Sequence, residues 1–501
     1  MRILYIDIDS LRPDHLGCYG YHRTTSPHID ALAEDSVRFN QVYASDAPCL
    51  PSRTAFYTGQ FGIRSGVVGH GGTAADPRID GISRGFSDVI QRESLPMVLQ
   101  RAGFHTAQIS PFGQRHAARQ FFAGFLEIHN TGGGGSESAE AVTPAVMRWL
   151  EANAARDDWY LHVNYWDPHT PYRVPMDEGE PFAEEPLPAW LTQEVLDRHV
   201  AMTGPHKPLE FQMYDDHEDP RFPRQPGSFR DLEGLRRCID GYDTGVLYAD
   251  KHVGQVIQYL RDRGLYEDTA IILSADHGEN LGELGIYGEH GTADGITCRV
   301  PMIIKWPGVK GGRTDDGLHY QLDLAPTLAA LLDQPPSPSW DGQSFARALT
   351  DGEEQGREDL VISQCAHVCQ RSVRFGPWLY MRTYHDGYHG FPREMLYHLE
   401  EDPHEQHDLA ADKPEVCREG AARLLTWQDT ALARSTSDTD PLWTVIREGG
   451  PFHARGRLAR YLPHLEKTNR RAAADRLRNR YPEETAPAPR WEAPPPHRLP
   501  S

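Results

Sequence analysis

Five short apolar runs recur along the chain: Ile3–Ile8, His105–Ser110, Tyr160–Tyr165, Ala270–Ser274 and Pro301–Lys305. Helical patterns fall between and around them, at Ile29–Glu34, Leu95–Arg101, Pro144–Ala154, a long stretch within Leu232–Arg263, and Leu322–Leu332. Strands that are apolar on both faces and separated by helices predict an α/β fold, a mostly parallel sheet wrapped by helices. With 501 residues the chain can bury a large core. We expect residues 1–358 to form this body. Within it, 171–228, rich in Pro, Asp, Glu and Gly, reads as a surface insertion suited to substrate recognition. Beyond Pro335-Pro336-Ser337-Pro338 the pattern changes. Val373–Tyr384 alternates like a strand, Leu396–Leu399 looks like another, and a smaller α+β subdomain is expected over 359–436.

Residues 437–501 read as a basic helical extension with a Pro-rich tail, Pro487–Ser501. Its stretch 447–480 holds ten Lys/Arg against three Asp/Glu in a chain whose net charge is −21. Leu458, Tyr461, Leu462 and Leu465 fall at helical spacing, so this segment is expected to dock an apolar face on the acidic body. The overall charge argues against non-specific nucleic-acid binding, and no apolar run approaches the roughly 18 residues needed to span a bilayer. The chain opens directly on a strand pattern, which predicts a cytoplasmic protein. Seven scattered cysteines (18, 49, 238, 298, 365, 369 and 417) do not form a disulfide framework, and Cys365 and Cys369 lack companions at zinc-site spacing.

Three of the predicted strands end in groups that bind metals or protons. Ile3–Ile8 runs into Asp9-Ser10, Tyr160–Tyr165 into Asp167-Pro168-His169, and Ala270–Ser274 into Asp276-His277-Gly278-Glu279. Open parallel sheets bind ligands beyond the carboxyl ends of their strands, so these endings would share one rim. Asp9, Asp276 and His277 form a mixed oxygen and nitrogen set. The oxygens suit Ca2+ or Mg2+, and the imidazole moves the preference toward Mn2+ or Zn2+. In Cys49–Gly59, Pro51 suits a first helical turn and Gly59 a helix end. Cys49 would then stand at a helix N-terminus, where free N–H groups and the dipole favour anions. Arg53, one turn later, would hold negative charge on Cys49 or on a bound oxyanion.

These segments together resemble the sulfatase family of the alkaline-phosphatase superfamily. Cys49-Leu50-Pro51-Ser52-Arg53 fits the family's C-x-P-S-R signature, and Thr58-Gly59 continues it. Ile8–Gly20 and Ser274-Ala275-Asp276-His277-Gly278 resemble its metal-binding stretches, Asp167–Tyr172 the segment with the active-site histidine, and Leu396–Leu399 with Glu401–Glu405 a C-terminal pattern. The resemblance implies an alkaline-phosphatase-like fold and a sulfuric ester hydrolase. Cys49 would be oxidised to Cα-formylglycine by a formylglycine-generating maturation enzyme. Asp9, Asp276 and His277 would hold a divalent metal, Ca2+ before Mn2+, with the modified Cys49 completing the shell. One hydroxyl of the hydrated aldehyde would attack sulfur, and loss of the second hydroxyl's proton would re-form the aldehyde and expel sulfate. Arg53 would stabilise the diol, and His169 would contact the sulfate or protonate the leaving oxygen.

The chain departs from the family pattern in three places. Asp9-Ser10 stands where many relatives have two Asp, and Glu289 follows Gly288 where many have Lys. The usual Lys-x-His is replaced at best by Arg115 and His116. His290 could supply a hydrogen bond that Glu289 cannot, and His70, in Val67–Gly72, is a further pocket candidate. The expected partner is a small sulfated sugar, aryl or alkyl ester, and a homo-oligomer is left open. Two other readings stay open as well: a phosphonate or phosphodiester hydrolase on the same scaffold, and a catalytically dead relative that binds sulfated ligands.

Overall fold

The run that opens the chain becomes a central strand of the larger sheet. A computed structural model describes residues 1–78, 92–437 and 439–485. The sheet is built from β1 (Arg2–Ile8), β2 (Val37–Tyr43), β3 (His105–Ile109), β4 (Glu127–His129), β5 (Trp159–Tyr165), β6 (Thr269–Ser274), β7 (Arg299–Lys305) and β8 (Arg313–Tyr320). Their spatial order is β8-β2-β7-β6-β1-β5-β3-β4. β7 runs antiparallel to both neighbours and every other adjacent pair is parallel. β5 and β6 are buried at every position, and β1 from Ile3 onward. Ile8 lies opposite Tyr165 and Asp7 opposite Ser274, so the three strands end level. That register brings Asp9, Asp167 and Asp276 to one rim.

Helices flank the sheet: α1 (Pro27–Glu34), α2 (Cys49–Thr58), α3 (Leu95–Arg101), α4 (Ala139–Asn153), α5 (Leu232–Asp262) and α6 (Leu324–Leu331). α4 begins well before Pro144, which the sequence had suggested as its start. The Asp167 carboxylate accepts a hydrogen bond from the Ala139 N–H at 2.8 Å, capping the helix from a distant segment. Pro144 therefore sits inside the helix and removes one internal hydrogen bond near its beginning.

A second sheet follows, made of β9 (Asp359–Gln364), β10 (Cys369–Phe375), β11 (Trp378–His385) and β12 (Glu394–His398), each antiparallel to the next. The expected single strand Val373–Tyr384 is instead a hairpin. Gly376 takes φ 48 at the turn, and Pro377 cannot continue a ladder. Helix α7 (Pro414–Ala433) covers one face, burying Val361, Val373, Tyr380 and Leu396 against Cys417 and Leu424. The far edge is completed by Asp46–Ala47, which pairs parallel to β9 at Ser363 and Gln364. The two sheets are thus joined directly before Cys49.

Residues 171–228 are more than a surface excursion. They hold a helix, Gln193–Ala201, and bury Tyr172, Leu196, Lys207, Glu210 and Phe211. The C-terminal helices α8 (Leu458–Lys467) and α9 (Arg471–Arg480) dock on this segment. Leu458, Tyr461 and Leu465 are fully buried in one cluster with Tyr214 and Tyr388. Tyr461 donates to Glu210 at 2.6 Å, and Arg470 donates to the same carboxylate at 2.8 Å. The tail Pro487–Ser501 lies outside the described residues. Among the described residues no helix is long and apolar enough to cross a membrane.

Candidate active site

The rim of the larger sheet is organised by backbone hydrogen bonds. Asp9 N–H donates to Tyr165 O at 2.9 Å, extending the β1–β5 ladder past the end of β1. Ser10 then turns the chain at φ 61, held by the Tyr242 hydroxyl of α5, which donates to Ser10 O at 2.7 Å. Asp276 accepts from Ser10 N at 3.3 Å and from His277 N at 3.0 Å. His277 Nδ1 lies 2.8 Å from Gly278 O, an acceptor only, so the ring proton is on Nδ1 and Nε2 is bare. That Nε2 is buried without a hydrogen-bond partner, 3.4 Å from Asp276 Oδ2 and 3.9 Å from Asp9 Oδ1. Burial, with Asp276 adding to it, drives the Asp9 carboxyl well above the usual range. Burial acts the same way on Asp276, but Arg53 and His277 outweigh it and hold that group below its ordinary value.

Cys49 is the first residue of α2 and is 4% exposed. Its Sγ lies 3.3 Å from His70 Nε2 and 3.9 Å from His116 Nε2. Cys49, Asp276 and His277 each place a donor atom within 4.8 Å of the others. Burial, then Asp9 and Asp276, push the thiol far above its ordinary pKa, so an unmodified Cys49 is not a thiolate nucleophile at neutral pH. Arg53, one turn on, donates to Asp276 at 3.1 Å, to Asp9 at 2.9 Å and to Asp7, and its guanidinium lies 4.7 Å over the Phe112 ring. Its visible partners are carboxylates, so it sets the spacing of the acidic cluster.

Every other nominated residue reaches this rim. His169 Nε2 is 4.0 Å from Asp9 Oδ1, and the His290 ring lies 5.0 Å from His169 and stacks on His277 at 4.1 Å. Burial, reinforced by Arg115, lowers both His116 and His169 to about 3. Burial also holds His70 and His290 well below their ordinary value. The imidazoles around Cys49 are therefore neutral at pH 7. Arg115 lies 5.0 Å over the Trp166 ring, donates to Gly135 O at 3.0 Å, and opposes the rise of the Asp9 carboxyl.

Asp7, Arg173, His367 and His453 were not nominated. Asp7 shares a face of β1 with Asp9, and the Asp-x-Asp spacing could have signalled it. Arg173 donates to the carbonyls of His169 and Thr170 at 3.2 and 3.3 Å, but it opens a segment that reads as surface. His453 meets His70 Nδ1 at 2.9 Å from the far end of the chain, and no local pattern announces that contact. Cys365 and Cys369 lie in an apolar cluster with Val68 and Val445.

A family model described as Sulfatase matches residues 2–334. The chain belongs to the sulfatase family. It is a hydrolase of sulfate esters, acting on a sulfated substrate. The sulfatase is 26% identical over 437 residues to the choline-sulfatase of Rhizobium meliloti, covering 77% of each chain. It is 24% identical to the N-acetylgalactosamine-6-O-sulfatase of Bacteroides thetaiotaomicron, covering 83% of this chain and 91% of that one. The phosphonate monoester hydrolase of Agrobacterium radiobacter superposes with a TM-score of 0.67 at 22% identity, covering 86% of this chain and 96% of its own. Such likeness supports the alkaline-phosphatase-like α/β fold. The matched stretch of the sulfatase ends at residue 334, so His367 and His453 enter the rim from beyond it.

Proposed function

We propose that this sulfatase cleaves a small sulfate monoester using Cys49 as formylglycine and one divalent cation held by Asp9, Asp276 and His277. The observation that carries this reading is the bare, buried Nε2 of His277 facing two carboxylates beside Cys49. Such a cluster fits a cation, and the two hard carboxylates favour Ca2+, with Mn2+ as runner-up because of the imidazole. When present, the hydrated aldehyde would offer a hydroxyl to sulfur, made more acidic by the cation, and a second hydroxyl through which sulfate is released.

The protein's own groups supply the rest. Arg53 spaces Asp9 and Asp276 and holds the Asp276 carboxyl below its ordinary value. His70 and His116 flank position 49 as neutral imidazoles able to exchange a proton with it. His169 points Nδ1 at Thr170 O, so its Nε2 is free to take a second proton. The sulfate's negative charge would favour that protonation, and His169 would pass the proton to the leaving oxygen. Arg115 and His70 would contact the ester.

Co-production with a formylglycine-generating enzyme should lower the mass of the Cys49 peptide and bring hydrolysis of an aryl sulfate. Cys49→Ala should fold and show no turnover; full activity in that variant would sink the mechanism. Faster cleavage of an aryl phosphonate ester than of the sulfate would replace the substrate class.

A further inference from the structure

A cavity of about 600 Å3 lies between segment 171–228, the β11–β12 hairpin and helix α9. None of the rim residues lines it, and the proposed reaction leaves it unused. His206 pairs with Glu289 at 2.9 Å beside His290, whereas the next residue, Lys207, lines the cavity. Leu284, Phe391, Met395 and Leu477 give it an apolar wall.

Lys207 is the group that calls for a ligand. It is 1% exposed, and its ammonium donates to Leu284 O. That carbonyl engages one of three protons, and the Phe391 ring centroid lies 5.6 Å away. Among the described residues no carboxylate stands within ion-pair distance of it. Glu210, whose charge acts on it from farther off, is already held by Arg470 and Tyr461. Burial lowers the amine from 10.5 to about 7. A buried ammonium without a counter-ion is costly, and an anion in the cavity would offset that cost.

The other polar groups agree. Arg198, Arg476 and Arg480 line the cavity with Lys207, a local excess of cations in a chain whose net charge is −21. Arg480 lies 3.0 Å from Asp386 and Arg198 3.8 Å from Glu194, single contacts that leave guanidinium donors to spare. Two carboxylates, Asp408 and Glu405, also line it. Asp408 is engaged by the N–H groups of Leu396 and Ala410 at 3.0 and 2.9 Å. Glu405 is 2% exposed, and its Oε1 accepts from Gly295 N at 2.7 Å. Burial, with Asp294 adding to it, drives that carboxyl well above its ordinary value. Its proton then sits on Oε2, which is buried without a partner and is a further donor.

We propose that this cavity is a second ligand site, for an organic anion that carries one carboxylate, sulfonate or sulfate on an apolar body. Lys207 and Arg476 would meet the charged head, and Phe391, Met395 and Leu477 the body. The cations exclude an ammonium ligand, and an inorganic anion would leave the apolar wall wet. The site rests on neither Cys49 conversion nor the cation at Asp276. Because its walls come from three separate parts of the chain, a bound anion would also clamp α9 to the body.

The test is calorimetric titration of the full-length protein with 2-naphthalenesulfonate, an anion that has no ester to cleave. We expect one equivalent to bind with equal affinity to the native protein and to Asp276→Ala. Binding should weaken about tenfold or more in Lys207→Met and in Arg476→Glu, as loss of a charge-assisted contact requires. The neutral 2-naphthalenemethanol should bind weakly to all of them. Absence of binding, loss of binding in Asp276→Ala, or undiminished binding in the two cavity variants would overturn the site. Equal affinity for the neutral alcohol would overturn its anion preference. Should Lys207→Met fail to fold, Arg476→Glu decides, since that side chain is exposed. Binding is read without turnover, so failure here is distinct from failure of the sulfate-ester mechanism.

Discussion

Arg53 carries one positive charge among Asp7, Asp9 and Asp276, which leaves two negative charges unbalanced if all three ionise. Burying such an excess is costly unless a cation completes it, and the cluster is legible in part from Asp-x-Asp on β1. Away from the site, His199 shows how burial couples stability to pH. It is 2% exposed, with Nδ1 2.8 Å from the Tyr287 hydroxyl and Nε2 3.1 Å from Gln406 Oε1. Burial, then the charge of Lys207, lowers its pKa from 6.5 to about 4. The unfolded chain therefore takes up a proton below pH 6.5 that the folded protein refuses until about pH 4. Stability from this residue is complete above pH 6.5 and declines as pH falls through that window. His199→Gln, neutral throughout, should lose about 1–2 kcal/mol less than the native protein between pH 7 and pH 5 in urea melts. An identical loss would show that His199 does not titrate in this way.

Among the elements, α8 and α9 make the clearest energetic statement. Exposed ion pairs contribute only about 0–1 kcal/mol each, so Lys467 with Asp216 orients the extension rather than holding it. Leu458, Tyr461 and Leu465 hold it by burial. Leu465→Ala should therefore cost about 2–5 kcal/mol, read as a lower denaturation midpoint, whereas Lys467→Ala should shift it little. Equal effects would contradict this division. The helical spacing of those residues made the docked face readable in sequence, as continuous burial did for β1, β5 and β6. β2 and β8 were missed because polar side chains interrupt Val37–Tyr43 and Arg313–Tyr320, as half-buried or edge strands allow. The β10–β11 hairpin was missed because Gly376-Pro377 was read through rather than as punctuation. The rim residues were visible because each follows a strong strand, while His206, His367 and His453 depend on long-range packing that no local period encodes.

For the molecule as a whole, the rim is where ligand and stability meet. A cation that binds only the folded state stabilises it in proportion to the logarithm of its concentration. Chelator-treated protein should melt at progressively higher temperature as Ca2+ is added, and Asp276→Ala should abolish the dependence. A calcium response that persists in that variant would place the ion elsewhere. The stitch made by Asp46–Ala47 has a consequence of its own, which concerns timing. Position 49 leaves the ribosome early, but the strand that pairs beside it spans 359–364, and the histidine behind His70 is residue 453. Until those arrive, Cys49 lacks this cover; in the finished fold it is 4% exposed. If Cys49 is converted as proposed, the oxidation would therefore have to act before this cover closes over it.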